Sequence, residues 1–63
     1  MTTYYVWMGV GAIEDLEDVH DRETAFARLQ TKTGGDWTLW ERDGPHTKLL
    51  AVIMWGRPVI RFF

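Results

Sequence analysis

Residues 49 to 55 read LLAVIMW, seven apolar residues without a break. Written as a strand, the run puts Leu49, Ala51, Ile53 and Trp55 on one side and Leu50, Val52 and Met54 on the other. Both sides are apolar, the pattern of a strand covered on both faces. A membrane-crossing helix takes ~20 such residues, so the run points instead to a central strand of a soluble protein. The fold must therefore cover one strand twice, and the chain has only 63 residues with which to do it. That length gives a single domain, residues 1–63, which buries only ~60% of the surface its unfolded form exposes. Cysteine is absent, which removes disulfides and thiolate metal sites as staples and makes a reducing, cytoplasmic setting the expectation. The first residues, MTTYYVWMGV, carry neither the basic nor the long apolar region of a signal peptide, in keeping with that setting. Large aromatic side chains replace the missing staples: four tryptophans stand among the 63 residues, and each can bury ~150–250 Å².

The remaining elements follow from periodicity and punctuation. Residues 4 to 10, YYVWMGV, are aromatic and β-branched, and as a strand they set Tyr4, Val6, Met8 and Val10 against Tyr5 and Trp7. Residues 12 to 20 are open to three readings, a loop, a short edge strand or a frayed helical turn, because Ile13, Leu16 and Val19 recur every third position and then meet His20. Asp21 is a good N-cap and Glu23 a favourable first-turn acid, and with Ala25, Phe26, Leu29 and Thr33 as an apolar stripe they predict a helix over 22–33. The glycines of TGG, at 34 and 35, stop it. DWTLWERD alternates as a strand, DGPHTK turns, and LLAVIMW returns, which makes a hairpin. After WGRP, VIRFF adds a last short strand with Val59, Arg61 and Phe63 opposed to Ile60 and Phe62. The expected fold is α+β, a small antiparallel sheet of three to five strands in β-α-β-β order with a further C-terminal strand and one helix on one face. One such helix leaves the second face to be covered by residues 12 to 20, by a second copy of the chain, or by a partner.

The stretch AIEDLEDVHDRE concentrates charge. Residues 14 to 23 hold six carboxylates against Arg22, a local balance of −5, and the rest of the chain is basic by three, giving the overall −2. A calcium loop would space its oxygens around an internal glycine, whereas Leu16 and Val19 interrupt this run, so no metal site is expected. Gly9 and Gly11 do not make a dinucleotide fingerprint, since the acids that follow would repel a pyrophosphate. With no Ser, Cys or Asn the chain lacks the usual nucleophiles, Thr2 stands in a leader with nothing to orient it, and His20 and His46 lie in separate polar segments. No catalytic residue and no cofactor is expected. Tyr5, Trp7 and Trp40 with Arg42, Lys48, Arg57 and Arg61 could stack and pair with a single strand, but the negative net charge disfavours direct nucleic-acid binding.

Asp21 and Glu23 have a task at the helix start, which leaves Glu14, Asp15, Glu17 and Asp18 free to act, with Asp21, as a surface that docks on a basic site of another protein. With this β-α-β-β order, the lone DRETAFARLQ helix and the acidic run, the chain resembles the small proteins encoded by phages and mobile elements, including anti-CRISPR inhibitors. The resemblance covers the whole length in size and layout. It implies a non-catalytic, stoichiometric inhibitor that binds a host protein or nucleoprotein complex by occupying a nucleic-acid groove. The alternative from the residues is a homodimeric structural or regulatory protein with Trp7, Trp40 and Met54 as the self-interface.

Overall fold

A computed structural model describes residues 1–63. In chain order the elements are β1 (Thr2–Trp7), β2 (Glu14–Asp15), α1 (Arg22–Gln30), β3 (Trp37–Asp43), β4 (His46–Ile53) and β5 (Ile60–Arg61). The five strands form one antiparallel sheet in the order β2-β1-β3-β4-β5. The class is α+β, mostly sheet. The order of elements differs from β-α-β-β because a second strand, β2, precedes the helix. Gly9 and Gly11, at φ +88° and +74°, reverse the chain in a conformation that L side chains resist. The reversal brings Glu14 opposite Val6 and Asp15 opposite Tyr5, and the Leu16 amide then donates to the Tyr4 carbonyl at 2.9 Å.

β1 ends at Trp7 rather than Val10, since the glycines release the chain there. α1 begins where the N-cap predicts: Asp21 Oδ1 accepts from the Thr24 amide at 2.7 Å and Oδ2 from the Thr24 hydroxyl at 2.9 Å. Those two hydrogen bonds hold the Asp21 carboxyl below the usual range. The helix stops three residues short of position 33. Thr31 turns its hydroxyl back onto the Arg28 carbonyl at 2.7 Å, a local bond that competes with helix propagation, and Gly34 at φ +83° carries the chain away. β3 and β4 meet through Gly44 and Pro45. Gly44 at φ +59° followed by a proline, whose ring keeps φ negative, has the signs of a type II′ turn, whose twist suits a two-residue hairpin.

The apolar run is sorted differently from simple alternation. The register shifts between Leu39 and Trp40, so that Trp40 pairs with Leu49 and Leu39 with Ala51, leaving Leu50 as the extra residue of a bulge. Leu50 and Ala51 are both fully buried and belong to one core. Beyond the bulge Ile53 pairs with Trp37 on that side, and Val52 pairs with Thr38 on the other. The two sets are therefore Leu50, Ala51 and Ile53 against Leu49, Val52 and Met54.

The core is one cluster: Tyr4, Val6, Leu16, Val19, Ala25, Leu29, Leu39, Leu50 and Ala51. α1 lies against β1, β3 and β4 and contributes Ala25 and Leu29. Residues 12 to 20 add Leu16 and Val19 to the same cluster, so they pack on the helix side of the sheet and leave the opposite side bare. Polar groups fasten α1 to that side. Arg22 grips Glu41 with two hydrogen bonds of 2.8 Å, and the Tyr4 hydroxyl donates to Glu41 Oε2 at 3.1 Å. The Arg22 bond is the main reason the Glu41 carboxyl lies below the ordinary range; burial first, and the bond to Glu41 second, raise the Tyr4 phenol. At the C-terminal end the Arg61 guanidinium sits 4.1 Å from the Phe63 ring centre and 4.9 Å from that of Phe26, and pairs with Glu23. This ties the tail to the helix.

Candidate interaction surface

Side chains alternate across a strand, so the cross-strand register fixes what the second face carries. Tyr5 lies opposite both Asp15 and Trp40, Trp7 opposite Thr38, Thr3 opposite Arg42, Trp40 opposite Leu49, Thr38 opposite Val52, and Val52 opposite Ile60. The face therefore carries two cross-strand rows, Asp15, Tyr5, Trp40 and Leu49 in one and Trp7, Thr38, Val52 and Ile60 in the next. Phe62, whose amide donates to the Leu50 carbonyl at 2.8 Å, stands two residues after Ile60 and shares its side; Met54 stands two after Val52. Ile60 and Met54 are each 43% exposed and Phe62 53%, whereas Tyr5, Trp7, Trp40, Leu49 and Val52 are half-buried by one another. Such a continuous apolar face is uncommon on a chain that acts alone.

The face is ordered at its centre. Tyr5 and Trp40 stack nearly parallel, 10° apart with ring centres at 6.2 Å, and the Arg42 guanidinium sits 5.1 Å over the Tyr5 ring. Arg42 in turn holds Asp15 at 2.9 Å and the Thr3 hydroxyl at 3.2 Å. The Trp40 indole donates to Thr38 Oγ1 at 2.9 Å, the Thr38 hydroxyl donates to the Trp7 carbonyl at 2.9 Å, and the Trp7 indole donates to the Gly11 carbonyl at 3.1 Å. Both indole N–H groups of this face are thus satisfied inside the chain, and both rings can be buried without stranding a donor.

The acidic residues are placed otherwise than their spacing suggests. Glu14 pairs with Lys32 at 2.6 Å, Asp15 with Arg42 at 2.9 Å, and Asp18 with Arg28, whose hydrogen bond holds the Asp18 carboxyl below its usual range. Asp21 is the helix cap. Of Glu14, Asp15, Glu17 and Asp18, only Glu17 makes no salt bridge, and the other three use cations on the helix, just past its end, or on β3. The run is not one surface: Glu14 lies opposite Val6 and Asp15 opposite Tyr5, so the two point to opposite sides of the sheet. These cations come from positions 28, 32 and 42, far along the chain, and no local pattern announces them.

Other chemistry is sparse. A hollow of about 390 Å³ beside the start of β1 gathers Thr3, Asp15, His20 and Arg42, with Arg42 already engaged by the first two. A shallower one of about 410 Å³ is walled by Gly34, Gly35 and Gly56 beneath Trp55, which is 70% exposed. No three side chains of His, Asp and Glu converge closely enough to hold a metal ion. No helix is long and apolar enough to cross a membrane.

Trp7, Trp40 and Met54, expected as a self-interface, all fall on the helix-free face. Tyr5 and Arg42 join them through the register. Ile60 and Phe62 are legible there only once β5 is known to pair with β4. Comparison with protein-family models, with curated proteins and with solved structures finds no match to this chain.

Proposed function

We propose that the chain is a non-catalytic protein-interaction module that binds through the helix-free face of its sheet. One helix serves one face, residues 12 to 20 pack beside it, and the other face carries Tyr5, Trp7, Trp40, Leu49, Val52 and Ile60 with no element over them. The observation that carries the reading is the set Asp15, Arg42, Tyr5 and Trp40 at the middle and one edge of that face, already stacked and paired within the chain. Preorganised aromatic groups at the centre of a patch with a polar rim are what hot spots are made of. Single-stranded nucleic acid fits less well: Arg42 is the one cation on this face, and Asp15 neutralises it. Groove-blocking by the acidic run, the mechanism implied by the resemblance to phage-encoded inhibitors, loses strength for a related reason, since three of its carboxylates are paired within the chain. An inhibitory role remains compatible with docking by the sheet face.

Site-specific photo-crosslinking separates these modes of binding. A benzophenone side chain in place of Trp7 or Ile60 is expected to give protein adducts in cells expressing the chain, while the same group at Glu17 or at Gln30 on the exposed side of α1 gives none. Adducts from Glu17 with none from positions 7 and 60 would return the acidic segment to first place.

A further inference from the structure

Building on the reading of the helix-free face as a docking surface, we infer that its occupant is a second copy of this chain, packed face to face about a two-fold axis with Trp40 at the centre.

Three observations select this occupant. The first is charge. The face carries one cation and one anion, Arg42 and Asp15, joined to each other at 2.9 Å, and the rest of it is apolar or hydroxylic. A two-fold contact requires a patch complementary to itself, and a neutral, internally paired patch meets that requirement. A nucleic acid or an acidic lipid surface would need uncompensated cations, and a basic partner would need uncompensated acids.

The second is position. β3 is the middle strand of five and Trp40 the middle residue of Trp37–Asp43, so Trp40 occupies the centre of the face. A two-fold axis lying between the sheets, along or across β3, sets the two Trp40 rings against each other. It also leaves Asp15 at the rim, because β2 is an edge strand, and Arg42 toward the rim, because it is one residue from the end of β3. Aromatic centre and wet polar rim is the arrangement of stable interfaces. With the Trp40 and Trp7 N–H groups already bonded internally, the centre can close dry.

The third is area. Strands ~4.8 Å apart and ~3.3 Å of rise per residue make the face roughly 24 Å by 23 Å, less the corners that the two-residue strands β2 and β5 leave empty. Each copy then covers roughly 400 Å², about 800 Å² for the pair, below the ~1,000 Å² of a stable specific interface and in the range of weak, transient ones. A weak, reversible dimer follows, with exchange between free and paired chains at high micromolar concentration.

Sedimentation equilibrium over a concentration series tests the inference, with far-UV circular dichroism to monitor the fold. The chain is expected to rise from its 7.4 kDa mass toward twice that value as concentration climbs from micromolar to millimolar. Trp40→Glu is expected to weaken association by about a hundredfold or more, since the change enters the centre of the contact from both copies. Ile60→Lys, at an exposed position near the edge of the face, is expected to weaken it by roughly tenfold and carries the test if Trp40→Glu does not fold. A mass of 7.4 kDa at every concentration would overturn the inference, as would a dimer unmoved by these changes. In the monomeric case a hydrophobic dye tells the two readings apart. Dye binding lost in Ile60→Lys leaves a face that serves a different protein, and no dye binding at all removes the interaction face as well.

Discussion

Leu39→Ala is expected to cost about 3 kcal/mol, within the 2–5 kcal/mol typical of a large-to-small change at a fully buried site. Leu39 is wholly inaccessible, pairs with Val6 on one side and Ala51 on the other, and sits under Ala25 and Leu29 of the same cluster. A chain of 63 residues holds about 3–9 kcal/mol in total, so the variant is expected to lose most of its cooperative unfolding transition in urea or heat. Leu49→Ala provides the contrast. Leu49 is half-buried on the other side of the sheet, and its truncation is expected to cost the isolated chain less than about 1 kcal/mol. Equal losses at the two positions would show that the bulge and the sidedness it creates are misplaced.

Glu41→Gln is expected to lower stability at neutral pH by about 1–2 kcal/mol, the exposure of Arg22 keeping the loss modest. The larger effect is on the pH profile. With its folded carboxyl below the ordinary range, Glu41 contributes stability that is complete above the ~4.3 of an unfolded glutamate and disappears as pH falls through the lower native value. Tyr4 acts in the opposite sense. Its raised phenol contributes below the ~10 of free tyrosine and ceases to do so as pH rises through the higher native value. Thermal midpoints measured from pH 3 to 7 are expected to fall less steeply with acid in Glu41→Gln than in the parent. Parallel profiles would mean that the Arg22, Glu41 and Tyr4 set does not couple protonation to folding.

Much of this architecture is legible in the sequence, and the parts that are not have physical causes. Asp21 and Glu23 announce the helix start, Gly44 and Pro45 the hairpin, and the alternation in DWTLWERD its strand. The helix end is misjudged because Thr31 trades propagation for a bond to the Arg28 carbonyl, a choice that periodicity does not record. The bulge at Leu50 is hidden by the run itself: when every residue is apolar, a one-residue slip of phase leaves no trace in the pattern. Residues 12 to 20 are ambiguous for a different reason. Leu16 and Val19 are core residues in a segment with almost no regular structure, held by the Leu16 amide on Tyr4 and by tertiary burial.

The candidate site shows the same division. Trp7 and Trp40 are found on one face by alternation alone, because each lies in a strand whose phase is plain, whereas the side of Met54 is fixed only by the register past the bulge. The acids mislead. Their density along the chain suggests one charged surface, but a strand at Glu14–Asp15 sends neighbouring carboxylates to opposite sides, and Lys32, Arg28 and Arg42 arrive from elsewhere to meet them. Linear charge density is a property of the sequence, whereas surface charge is decided by pairing in space.

Amide and indole chemical shifts of the labelled chain, followed on dilution, report directly on which surface is used. Concentration-dependent shifts are expected at Tyr5, Trp7, Trp40, Leu49, Val52 and Ile60, with the Trp40 indole moving most and Glu14, Glu17 and Asp18 unmoved. Shifts centred on residues 14 to 18 would contradict the use of the helix-free face, and a spectrum independent of concentration would contradict pairing of two copies through it.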